Sequence, residues 1–189
     1  RRGEWDVWGY RATWGMGYHE FLQFCEDLGM DGMFVDNAGM SCSVRNGDYV
    51  DTDKELNDVI QDFRDAIDYA LADPAANKWA KMRADAGHPA PFPLKYVEIG
   101  NENVGPEYVK HFNYIYNVLS KEYPQITFIN TLGHTDRLLE QIPGDYMVDP
   151  HWYRDPNFFF NNHCKVSCHC RILWNSFIFL LHAGKIINK

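Results

Sequence analysis

The chain has 189 residues, 46% of them hydrophobic and 15% aromatic, with a net charge of −8. That apolar share excludes a disordered segment, and the acidic balance leaves no electrostatic footprint for nucleic acid or an anionic membrane surface. The length suits one ordinary domain and falls short of the roughly 250 residues of a complete (β/α)8 barrel.

The opening residues Arg1-Arg2-Gly3-Glu4 reach no apolar run, so no signal peptide is expected within this sequence. Over residues 17–28, Phe21, Cys25 and Leu28 share a helical face, and Gly29 supplies the stop. Met33-Phe34-Val35 is a short apolar run closed by Asp36-Asn37-Ala38-Gly39, which predicts a strand and its following loop. Thr52-Asp53-Lys54-Glu55 has the form of a capping box. Behind it Leu56, Val59, Ile60, Phe63, Ile67, Ala70 and Leu71 keep the helical period until Pro74.

A loop containing Gly and Pro, residues 86–93, leads into a strand over residues 94–99. Pro106 suits the first position of a helix that carries Val109, Phe112, Tyr116 and Leu119 and ends before Pro124. Strands over 126–129 and 146–148 flank a short helix over 136–142. Strands alternating with helices predict βαβ units and a parallel sheet. The fold class is therefore α/β, with about four strands, roughly half of a (β/α)8 barrel.

Charge divides the chain. Residues 1–160 hold 14 Lys/Arg and all 26 Asp/Glu, whereas residues 161–189 hold four basic residues and no acid. Cys164, Cys168 and Cys170 also crowd into this second part. The composition places a boundary near Phe160, with 1–160 as the folded domain and 161–189 as a tail outside it. Five cysteines at irregular spacing do not make a disulfide framework. His163-Cys164 and Cys168-His169-Cys170 do not match a structural zinc spacing, so no metal is expected. The apolar run over 172–181 is shorter than the roughly 20 residues of a membrane span, and no membrane partner is expected.

The informative segment is Tyr96-Val97-Glu98-Ile99-Gly100-Asn101-Glu102-Asn103. An apolar strand ends in Gly-Asn-Glu, and a helix begins a few residues later. In a parallel barrel the active site lies at the carboxyl ends of the strands, where Asn101 and Glu102 fall. Hydrolysis of a glycoside needs a carboxylic acid that protonates the leaving oxygen and later takes a proton from water. Glu98 lies roughly 13 Å deeper along the strand at about 3.3 Å per residue, and is expected to be structural. An Asn-Glu pair by itself is more often a loop or cap element than a catalytic one.

Five segments in order add specificity. Gly17-Tyr18-His19-Glu20-Phe21-Leu22, Asn37-Ala38-Gly39-Met40, Ala86-Gly87-His88-Pro89, Tyr96 to Asn103, and Asp149-Pro150-His151-Trp152-Tyr153 together resemble α-L-arabinofuranosidases of glycoside hydrolase family 51, a clan A glycosidase family. The resemblance spans about residues 5–160. It implies a partial (β/α)8 TIM barrel, about strands three to six with their helices. The implied reaction is retaining hydrolysis of terminal α-L-arabinofuranosyl residues from arabinan, arabinoxylan or their oligosaccharides, with no metal or organic cofactor.

Carried over by resemblance, Glu102 is the general acid/base, and Asn101 bonds the hydroxyl next to the anomeric carbon. Asn37 contacts the same sugar, while His151 and Tyr153 line the subsite. Without the resemblance, Asn37 would be a turn residue, His151 a rim histidine and Tyr153 packing. The family pattern is departed from at Pro150, where a Glu is usual, and in the lack of the family's earlier glycine-rich strand. No nucleophile is found, because Asp155 is the single acid after Tyr153. A retaining enzyme needs two carboxyl groups about 5–5.5 Å apart, so the chain alone is expected to be inactive and poorly stable. The resemblance favours an extracellular or periplasmic parent and allows its oligomerisation. Two rivals remain: another clan A glycosidase of endo-glucanase or xylanase type, and an inactive sugar-binding remnant.

Overall fold

The computed structural model describes residues 5, 9–11, 13, 15–41, 47–133, 147–150, 154–161 and 180–182. Helix α1, Tyr18–Asp27, starts where the Glu20 carboxylate accepts the Gly17 N–H at 2.9 Å. It buries Leu22 and Cys25, while Leu28, expected on that face, is its C-cap residue and stays exposed. Burial raises the Cys25 thiol pKa, which keeps it a neutral core group. Strand β1, Gly32–Asp36, is buried throughout.

Helix α2, Asp53–Leu71, is capped by the Thr52 hydroxyl, which accepts the Glu55 N–H at 3.2 Å. Its period places Leu56, Ile60, Phe63, Ile67 and Ala70 in the core. A helix that periodicity did not predict follows: α3, Lys78–Asp85, capped by Asn77, whose side-chain oxygen accepts the N–H groups of Trp79 and Ala80. Then come strand β2, Leu94–Ile99, helix α4, Pro106–Glu122, and strand β3, Thr127–Gly133. Two short strands complete the sheet, β4, Met147–Pro150, and β5, Leu180–His182. The helix expected over 136–142 and the cysteines at 164, 168 and 170 lie outside the described residues.

All pairings are parallel, in the order β4-β3-β2-β1-β5. The fold is thus α/β with a parallel sheet. Alternation along each strand separates two apolar faces. Phe34, Val97, Ile99 and Phe128 join Ile60, Phe63, Ile115 and Leu119 of the helices, while Met33, Val35, Tyr96 and Ile129 form a second buried cluster. Burial on both faces is the usual state of a parallel sheet.

Two details bear on the ends of this sheet. Pro150 pairs with Gly133 at the last position of β4, beyond an irregularity in β3, and among the described residues β4 is an outermost strand, so the missing proline N–H interrupts no described ladder. Three residues of the tail, Leu180–His182, pair with Met33 to Val35 of β1. This stretch extends the sheet beyond β1. A row of unpaired backbone groups on β1 favours any apolar strand that can reach it.

Below the amino end of β2 sits Arg83, fully buried. Its Nε donates to the His88 carbonyl, Nη1 to that of Tyr69, and Nη2 to those of Ala72 and Pro89, at 2.6–3.1 Å. One guanidinium so ties the end of α2, helix α3 and the loop into β2. Burial pushes its pKa down from the usual arginine range, but four acceptors keep the charged form hydrogen-bonded. No described helix is long and apolar enough to cross a membrane.

Candidate active site

Strands β1 and β2 end side by side. Asp36 lies opposite Ile99, and the Gly100 N–H donates to the Asp36 carbonyl at 2.8 Å. The next residues out are Asn37 from β1 and Asn101 and Glu102 from β2. The structure therefore brings together three of the five expected site residues at the carboxyl end of the sheet, each partly exposed. His151 and Tyr153 lie outside the described residues. Glu98 is buried at 1% exposure, in register with Val35 and Ile129.

The backbone at this tip is unusual. Glu102 has φ +53°, and among the described residues no other non-glycine adopts a positive φ. Such a conformation costs energy in an L residue and persists where its surroundings impose it. Gly100, at φ +91°, has no room for a side chain: a Cβ there would meet the Asn103 Oδ1 at 2.5 Å and a Tyr108 ring carbon at 3.1 Å. Asn103 is itself buried, and its Oδ1 accepts the Asn101 N–H at 3.0 Å.

Beyond the turn, the Glu102 N–H donates to Thr131 Oγ1 at 2.9 Å. The Thr131 N–H donates to the Tyr108 hydroxyl at 2.9 Å, and that hydroxyl donates to the Ile99 carbonyl at 2.7 Å. Tyr108 and Thr131 are fully buried. A chain of bonds thus links β2, α4 and β3 around the Gly-Asn-Glu turn. Sequence reasoning missed Thr131 and Tyr108, since neither belongs to a local motif.

Asn37 is committed to its own loop through one atom. Its Oδ1 accepts the Met40 N–H at 2.9 Å, and its backbone N–H donates to Asp36 Oδ1 at 2.7 Å. The side-chain Nδ2 is the polar group it can offer a ligand. Under β1, burial and then the Asp36 charge push the Tyr18 phenol pKa up, so Tyr18 remains a neutral donor to the Ala66 carbonyl at 3.0 Å. The loops after β1 and β2 enclose a cavity of about 170 Å³ between Met40, Ser41, Tyr49, Asn103, Val104 and Glu107. Among the described residues no group of three or more His, Cys, Asp or Glu side chains could hold a metal ion.

Residues 1–169 match the family described as "Alpha-L-arabinofuranosidase 1 domain". Two curated relatives are the extracellular exo-alpha-L-arabinofuranosidase of Streptomyces chartreusis and alpha-L-arabinofuranosidase 2 of Arabidopsis thaliana. The first is 35% identical over 175 residues, 88% of this chain and 21% of that protein. The second is 39% identical over 150 residues, 78% of this chain and 21% of that protein. The chain thus spans about a fifth of the length of these relatives.

Among solved structures, the arabinose-bound α-L-arabinofuranosidase MgGH51 superposes with a TM-score of 0.73 at 32% identity, covering 94% of this chain and 27% of that one. The arabinose complex of the Thermotoga maritima α-L-arabinofuranosidase superposes at 0.60 with 20% identity over 86% of this chain and 33% of that one, a likeness of fold. By family match and by identity alike, this chain belongs to the α-L-arabinofuranosidases of glycoside hydrolase family 51.

Proposed function

We propose that the protein to which this chain contributes removes terminal α-L-arabinofuranosyl residues from arabinose-containing polysaccharides and oligosaccharides with retention, using Glu102 as general acid/base. The supporting observation is the meeting of Asn37, Asn101 and Glu102 at the carboxyl ends of adjacent parallel strands in a chain of this family. The complete fold in this reading is a (β/α)8 barrel, of which β1 to β4 are strands three to six. Residues 1–160 are its catalytic-domain portion and 161–189 a tail beyond it, although the family match runs on to residue 169 and Leu180–His182 pair with β1. The parent acts outside the cell, like the Streptomyces relative by its name.

In the first step Glu102 gives its proton to the glycosidic oxygen as the bond from that oxygen to the anomeric carbon breaks. A second carboxylate, supplied from outside this chain, attacks the anomeric carbon and forms a glycosyl ester. Water then attacks the same carbon, its proton passing to Glu102 as the ester carboxylate departs. Asn101 holds the neighbouring hydroxyl and Asn37 contacts the same sugar through Nδ2, with His151 and Tyr153 as further walls of the subsite. Lacking the nucleophile, residues 1–189 alone turn over no arabinoside.

The test is Glu102→Gln in the full-length polypeptide. For natural linkages kcat/KM should fall by about 100–10,000-fold, whereas an aryl arabinofuranoside with a good leaving group should lose far less, because its oxygen departs without a proton. Equal losses on both substrates would remove Glu102 from the acid role. Binding of arabino-oligosaccharide without turnover by the intact protein would instead favour a non-catalytic remnant.

A further inference from the structure

The left-handed backbone of Glu102 needs a cause, and the structure contains one. Its N–H is held by Thr131 Oγ1 at 2.9 Å, from a neighbouring strand 29 residues on in the sequence. Thr131 is fully buried, and its own N–H is tied to Tyr108, which in turn grips the Ile99 carbonyl three residues before Glu102. On the other side of the turn, Asn103 Oδ1 takes the Asn101 N–H and Gly100 bonds the Asp36 carbonyl. Each backbone N–H from Gly100 to Glu102 is therefore occupied, those of Asn101 and Glu102 by side chains, and the one on Glu102 by a side chain from another strand.

We propose that Thr131 is a positioning residue for the acid/base: its hydroxyl, locked by the bond between its backbone and Tyr108, holds Glu102 at positive φ and so sets the direction of the Cα–Cβ bond that carries the carboxyl group. This inference rests on Glu102 being the acid. The physical link is short. Inverting the sign of φ at a residue swings its Cβ around the backbone and moves a glutamate carboxyl by several ångströms. A misplacement of about 1 Å already costs on the order of 100-fold in a reaction that depends on alignment. Thr131 touches neither sugar nor reacting atoms in this account, and its effect passes through Glu102.

Thr131→Val keeps the branched shape that a strand prefers and removes the acceptor. In the full-length polypeptide it should lower kcat/KM for natural linkages by about 10–100-fold. For an aryl arabinofuranoside with a good leaving group the loss should stay under about 3-fold, since a misaligned acid matters little there. Thr131→Ser, which retains the hydroxyl, should restore the natural-linkage rate to within about 3-fold of wild type.

Equal losses on the two substrates, or no rescue by serine, would overturn the proposal, because a merely structural threonine slows every substrate alike. Should Thr131→Val fail to fold, Tyr108→Phe decides by the same ratio, since it removes the bonds that hold the Thr131 N–H and the Ile99 carbonyl while keeping the threonine hydroxyl. Glu102→Gln, measured alongside, separates the two ideas. If it lacks the leaving-group dependence, the acid assignment fails; if it shows that dependence and the Thr131 variants do not, the positioning role alone fails.

Discussion

The two ends of β2 use polar groups in opposite ways. At the amino end, Arg83 is wholly buried and spends its donors on four backbone carbonyls. At the carboxyl end, Asn101 and Glu102 remain partly exposed, and the strained turn is held by bonds to their backbone N–H groups. One end is closed inside the protein and the other stays open to solvent. In a parallel barrel, catalytic groups gather at the carboxyl face and stability at the amino face. The contrast teaches that these duties can be told apart by how deeply a polar side chain is buried.

Removing the clasp should have the largest effect on stability. Arg83→Met takes the donor from four backbone carbonyls, and chemical denaturation of the full-length polypeptide should register a loss of roughly 2–4 kcal/mol. The kcat of the molecules that remain folded should not change. A loss of stability below about 1 kcal/mol would mean the carbonyls find other partners and the contrast between the ends is overstated.

Gly100→Ala should blur the contrast from the other side. Its Cβ has no space against Asn103 and Tyr108, and its φ of +91° suits glycine. Strain of about 1–3 kcal/mol should appear in unfolding, with a fall in kcat/KM on the order of 10–100-fold. Full activity together with lowered stability would show that the turn tolerates displacement.

A smaller change is expected at Asn77, which caps α3 far from the tip. Asn77→Ala should cost about 1 kcal/mol of stability with unchanged kinetics. Any kinetic effect from this position would tie the amino end to chemistry and break the division.

The smallest belongs to the surface pair Arg64–Glu122, joined by two bonds of 2.7 Å between α2 and α4. A double-mutant cycle at neutral pH should give at most about 1 kcal/mol, since both groups are partly exposed. The Arg64 hydrogen bond holds the Glu122 pKa below the usual glutamate range. A carboxylate depressed on folding stabilises above its unfolded pKa, and that contribution disappears as pH falls through the folded value. The coupling should therefore be intact at pH 7 and fade below the ordinary glutamate range. A coupling that grows on acidification would contradict the sign.

Much of this arrangement is legible in the sequence where the signal is local. The capping box at Thr52 and the apolar period behind it mark α2, and four short apolar runs mark β1 to β4. The turn Gly100-Asn101-Glu102 can be found by its position at the end of one of those runs. Helix α3 is not legible by periodicity because just two of its eight residues are buried, Ala80 and Arg83, and one of them is charged. Its Asn77 cap was the available signal. Thr131 and Tyr108 are invisible for a different reason: they meet Glu102 through the sheet register and the packing of α4, which no spacing along the chain encodes. The same holds for β5, whose apolar character is plain but whose partner is not.

That last pairing has a consequence for the order in which the molecule assembles. From β1 to β4 each strand pairs with its neighbour in sequence, so the sheet can grow one βαβ unit at a time as the ribosome delivers it. The contact of Met33 with Leu180 instead closes nearly the whole length of the chain. Loop closure of that size is entropically the dearest in the fold and is reached last. Until residue 180 has emerged, β1 is without its β5 partner, and in that interval a strand of a second nascent copy on the same message can compete for the same edge. Among the described pairings, that between β1 and β5 is thus the last to form, and translation speed through the intervening segment sets how long it waits.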